Sequence, residues 1–148
     1  MKNLASLILT VLLFQIAVAT GAHAQAIPDL KGTWVVEGLT AISDGPTNHS
    51  GDASPGPATS GKFNLFELKF TYQVDGQDGL RFWGTSSSER DSERLLGSLS
   101  TGGKRVAMIT DDGYADGELV DNDTIDFCYR HITGKHSVVA CGLLKRQK

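Results

Sequence analysis

The residues best suited to chemistry lie in the last third of the chain. His131 and His136 flank Gly134-Lys135. If that pair turns a hairpin, the two imidazoles are diagonal neighbours on one face and within reach of each other. Two histidines make half of a metal site. No third ligand stands nearby, so the plain alternative is two polar residues at a hairpin end. Upstream, Asp111, Asp112, Asp116, Glu118, Asp121, Asp123 and Asp126 follow one another with no basic residue between them. Calcium favours such oxygen donors. Yet Tyr114 takes a ligand position and Asp123 stands where a bidentate glutamate belongs, so the acids also read as hairpin turns. Ser86-Ser87-Ser88 lies in no nucleophile elbow. The chain has no phosphate loop, dinucleotide fingerprint or H-E-x-x-H. His49 has no identifiable partner, and Asn48-His49-Ser50 is a glycosylation sequon only in a eukaryotic secretory route. The sequence therefore names no catalytic residue, metal ligand or cofactor. A carboxylate pair meeting across the fold is invisible to spacing, so an enzyme stays open as a third reading.

Cys128 and Cys141 are the only cysteines. With a two-residue turn on Gly134-Lys135, Cys128 faces Cys141 directly, at a non-hydrogen-bonded pair about 4.5 Å between Cα atoms. That distance meets the short limit for a disulfide. The same register puts Ile125, Phe127, Tyr129 and His131 on one face, opposite His136, Val138, Ala140, Gly142 and Leu144. Large residues meet small ones, as in an interior. The cysteines share the other face with Asp126, Arg130 and Val139.

A disulfide implies an oxidising destination, and the N-terminus supplies the route. Lys2 precedes an apolar run from Leu4 to Ala19, and Ala22-His23-Ala24 fits a signal-peptidase site. Residues 1–24 are expected to be cleaved and the protein exported, to a periplasm or the cell exterior, with residues 25–148 forming one domain. The full chain of 148 residues carries a formal net charge of −3, and losing Lys2 makes it one unit more acidic. Such a chain has no electrostatic footprint for nucleic acid or an anionic membrane.

The elements that must position these residues are strands. Gly32–Ile42 reads as the first. Residues 43–61, rich in Gly, Pro and Ser, read as a flexible loop. In Lys62–Val74, Phe66, Leu68, Phe70, Tyr72 and Val74 alternate with polar residues, which means one buried face. A phase slip between Leu65 and Phe66 suggests a bulge. Residues 75–79 read as a turn, and Leu80–Ser87 as a third strand. Residues 89–94 read as a solvated loop or a single helical turn. Strands follow at 95–100, 105–110, 114–120, 124–132 and 136–145. Eight sequential antiparallel strands leave two edges exposed unless the sheet closes. The expected fold is all-β, an eight-stranded up-and-down barrel, with a β-sandwich as the runner-up.

Gly32-Thr33-Trp34, at the start of the first strand, resembles the calycin pattern of lipocalins and avidins. The resemblance implies a tryptophan plugging one end of a meander barrel, with a basic residue near the last strand packed on it; Lys145 or Arg146 matches that role. Thr110-Asp111-Asp112-Gly113-Tyr114 loosely echoes the lipocalin T-D-Y motif. The absence of a C-terminal helix is more similar to avidins, although the avidin biotin ligands are not recognisable. Trp34 as a simple buried strand aromatic is the alternative. The expectation is a non-enzymatic secreted barrel that binds a small apolar ligand along Trp34, Phe66, Leu68, Phe70, Phe82, Phe127, Tyr129 and His131, with residues 43–61 at the mouth. The alternative is a protein-binding module, such as a hydrolase inhibitor, acting through its loops.

Overall fold

A computed structural model describes residues 26–44, 63–89, 91–132 and 137–148. The expected leader, nearly all of the 43–61 stretch, the turn at Gly134-Lys135, His49 and His136 lie outside the described residues, as do the side chains of Phe66 and Leu68.

The first strand, β1 (Gly32–Ser43), organises the rest. Trp34 and Val36 point inward in its first half, whereas Leu39, Ala41 and Ser43 do so in its second. This reversal happens across Gly38, at a φ of 63°. A side chain is strained in that left-handed conformation, so glycine lets the strand insert one extra residue and bend. Pairing with the last strand shifts register at the same place, between Glu37 and Thr40. The bulge therefore sits in β1. The slip expected between Leu65 and Phe66 does not occur, because β2 (Asn64–Leu68) pairs with Leu39–Ser43 in unbroken register. Leu65 is an outward-facing apolar residue, and that produced the false signal.

β2 and β3 (Thr71–Asp78) are two segments of one barrel strand, both lying along the same side of β1. They are interrupted at Lys69-Phe70, where Val36 N–H donates to the Phe70 carbonyl at 3.1 Å. The second segment runs through the expected turn at 75–79, with a register shift between Val74 and Gly76. The chain reverses at Gly79-Leu80 into β4 (Arg81–Ser87). β5 (Ser92–Leu99) begins inside the stretch expected to be a loop or helical turn at 89–94. Then come β6 (Arg105–Ile109), β7 (Gly113–Asp121), β8 (Thr124–Ile132) and β9 (Ser137–Arg146).

β1 pairs antiparallel with both β2 and β3, each strand from β3 onward pairs antiparallel with the next, and β9 pairs with β1. The result is a closed meander barrel of eight antiparallel strands. Closure leaves no pair of sheets to stack, so the sandwich alternative is excluded. The last hairpin has the expected register: Cys128 faces Cys141 at a Cα separation of 4.1 Å, and the two form a disulfide. Ile125, Phe127, Tyr129, His131, Val138, Ala140 and Leu144 are all buried on the inner face.

Candidate functional site

The two ends of the barrel differ in chemistry. At one end the segment before β1 folds under the strands. Gln77 holds it, accepting from Leu30 N–H at 2.7 Å and donating to the Pro28 carbonyl at 2.8 Å. Trp34 fills the floor, and its Nε1–H donates to the Leu30 carbonyl at 2.8 Å. The Arg146 guanidinium lies 4.3 Å from the Trp34 ring centroid, a cation–π distance. It also donates to the carbonyls of Asp29, Lys31 and Asn122 and to the Asp123 carboxylate. Of the two basic residues proposed from sequence, Arg146 is therefore the one stacked on the tryptophan. Above this floor, Leu30, Trp34, Tyr72, Val74, Phe82, Leu95, Met108, Ile125 and Leu144 enclose a void of only about 10 Å³. Small-molecule pockets are roughly 300 Å³ or more. Trp34 and Phe82 thus stand at a level with no ligand-sized space.

At the distal end the inner face turns polar. Tyr129 and His131 are inner residues of β8, and Asp112 sits in the turn before β7. His131 Nδ1 lies 3.0 Å from Asp112 Oδ2, and the Tyr129 hydroxyl donates to Asp112 Oδ1 at 3.2 Å. Nδ1 also lies 3.4 Å from that hydroxyl. This contact to the carboxylate fixes the orientation of the imidazole ring. Gly113, paired with His131, allows the arrangement, because a Cβ there would stand 2.4 Å from the Tyr129 hydroxyl. Next to this cluster, Tyr72, Ser86 and Glu93 are consecutive cross-strand partners on β3, β4 and β5. Burial, above all, pushes both phenols above the ordinary tyrosine range, and the charges of Glu93 on both and Asp112 on Tyr129 add to it. Both therefore remain neutral hydroxyls at physiological pH.

Aromatic rings join the two levels. Phe70 lies 5.9 Å from Tyr129 and 6.4 Å from Tyr72, and Phe127 meets Tyr72 edge-on at 6.2 Å. Of the residues proposed from sequence, the structure brings Phe70, Phe127, Tyr129 and His131 together at or just below the distal end. Trp34 and Phe82 are placed in the plug. Asp112, Tyr72, Ser86 and Glu93 were missed as site residues. From sequence Asp112 reads as a turn acid, and only the β7–β8 register reveals its neighbours.

The acidic run does not gather around a cation. Asp111 pairs with Arg94, Asp116 with Arg130 and Asp123 with Arg146, while Asp121 accepts from the Asp123 backbone N–H. Among the described residues, no group of three or more His, Cys, Asp or Glu is arranged to hold a metal ion.

Together, the closed meander and its tryptophan–arginine plug define a barrel consistent with a calycin-like architecture. No protein-family model matches the chain, and neither the curated proteins nor the solved structures provide a match.

Proposed function

We propose that this is an exported binding module that holds a small ligand at the distal end of the barrel and does no chemistry on it. The observation that carries the reading is the change in the inner face along the barrel axis. Near the plug the interior is apolar and filled. At the distal end it carries Ser86 and His131, each at least 96 % buried, on a wall shared with Phe70 and Tyr129, while Tyr72 spans the two levels. Burying polar groups costs stability unless they are paired, and an apolar replacement is often no worse. A barrel selected only to stay folded has no need of them.

The arrangement favours an amphipathic ligand, with an apolar body against Phe70 and Phe127 and a polar group near Tyr129 and His131. This narrows the apolar ligand expected from sequence. The disulfide supports export, since such bonds persist in oxidising compartments.

Native mass spectrometry of protein purified from its own source tests the reading. The expected result is a retained small molecule that is lost in the Y129F/H131Q variant while the fold is kept. Protein of bare polypeptide mass, together with no shift in unfolding midpoint on adding amphipathic probes such as 8-anilinonaphthalene-1-sulfonate, would overturn it.

A further inference from the structure

The charged side chains of the barrel interior are sorted by sign along its axis. At the plug the inner face ends in Arg146, whose guanidinium is committed to the Trp34 ring, to three carbonyls and to Asp123. The filled layer of Trp34, Phe82 and Leu95 separates it from the distal end. There the inner face carries acids. Glu93 has the inward parity of Leu95 and Leu99 on β5 and pairs directly with the buried Ser86. Asp112 reaches the same region from the turn before β7, where its carboxylate meets the Tyr129 hydroxyl and His131 Nδ1. The arginines near the distal ends of β5 and β8 point the other way: Arg94 pairs with Asp111 and Arg130 with Asp116 on the outer face. Among the described residues, no lysine or arginine on a strand has inward parity at the distal end.

We infer that the amphipathic ligand of the binding reading above carries a cationic head group, an ammonium or guanidinium, received among Asp112, Glu93 and the aromatic rings. The sign of the site does not depend on how its carboxylates are bonded. Asp112 keeps its charge while it accepts from Tyr129, and a protonated His131 offsets one of the two carboxylates, not both. The charge is also felt where a head group lies. Beyond the effect of burial, Glu93 pushes both the Tyr72 and Tyr129 phenols up, and Asp112 does the same to Tyr129. The rings of Phe70, Tyr72 and Tyr129 add to it. Phe70 lies 5.9 Å from Tyr129 and 6.4 Å from Tyr72 between centroids, and the faces of such rings carry negative potential that attracts a cation. A carboxylate or phosphate head enters against like charges and meets no strand-borne cation among the described residues. Such a repulsive element is one of the means by which a site discriminates.

Titration calorimetry of the purified protein at neutral pH with phenylpropylammonium, phenylpropanol and phenylpropanoate tests this, because the three share one apolar body and differ in head charge. The expected order of affinity is ammonium, then alcohol, then carboxylate, with about tenfold or more between first and last. E93Q should narrow that gap several-fold with the circular dichroism spectrum unchanged. A carboxylate bound as tightly as the ammonium, or a gap that E93Q leaves intact, would overturn the assignment of charge and leave the binding module standing. No heat with any of the three, together with no shift in unfolding midpoint, would remove the binding reading and the cationic head group with it.

Discussion

The plugged end and the distal end are built from the same strands, yet they use polar side chains in opposite ways. At the plug, Gln77 and Arg146 tie distant parts of the chain together. They anchor the segment before β1 to β3, to β9 and to the β7–β8 turn. At the distal end, Asp112, Tyr129 and His131 bond to one another. These bonds join β8 to the adjoining turn, which the β7–β8 ladder already holds. The first arrangement stabilises the fold, whereas the second shapes a surface. Substitutions at the plug should therefore be felt mainly in stability, and those at the distal end mainly in ligand retention.

The largest effect is expected from W34A. The side chain is 2 % exposed in a layer with almost no free volume. Truncation leaves a cavity, strips Arg146 of its stacking partner and should cost about 3–5 kcal/mol. Urea unfolding measures it. A loss below about 1 kcal/mol would mean that the plug is ornamental and the comparison false. The distal counterpart is G113A. The new Cβ overlaps the Tyr129 ring end, whose hydroxyl must leave Asp112. Overpacking of this kind costs about 1–3 kcal/mol. The distinguishing result is that G113A abolishes ligand retention in native mass spectrometry, whereas W34A, in the fraction that stays folded, keeps it.

The sequence made the last hairpin legible because two independent constraints met there. A Gly-first turn set the register, and the cysteine pair confirmed it, so the inner face from Ile125 to His131 followed. Elsewhere a single constraint was not enough. Leu65, Trp83, Leu96 and Ile109 are apolar but face outward. They blur the two-residue alternation, and the bulge was placed in the wrong strand for that reason. Its actual site at Gly38 leaves only a phase change between Trp34-Val36 and Leu39-Ala41. Asp112 was hidden by another irregularity. Counting back from the turn at Asp121-Thr124 fails at the register shift between Leu119 and Asp121, which moves every partner on β7 by one position. Arg146 and Lys145 lie at a strand end where parity alone does not choose; the carbonyls gathered around the guanidinium do.

The smallest effect, and the sharpest probe of the distal interior, is alkaline titration. Both Tyr72 and Tyr129 have pKa values raised above the ordinary tyrosine value of about 10, first by burial. The unfolded chain ionises its phenols near that value, while the folded chain keeps these two protonated. Above it, the unfolded state binds fewer protons than the native state, so stability falls as pH rises. The contribution is fully present below about pH 10 and is lost progressively above it. Phenolate absorbance near the ultraviolet edge should therefore develop for these two residues only as the barrel unfolds. Y129F removes one of the two ionisations and should shift alkaline unfolding to higher pH. At neutral pH it sacrifices one hydrogen bond, about 1 kcal/mol. If Tyr72 and Tyr129 instead titrate in the folded protein near pH 10, water reaches the distal interior freely, and the contrast between its buried polar wall and an ordinary solvated rim disappears.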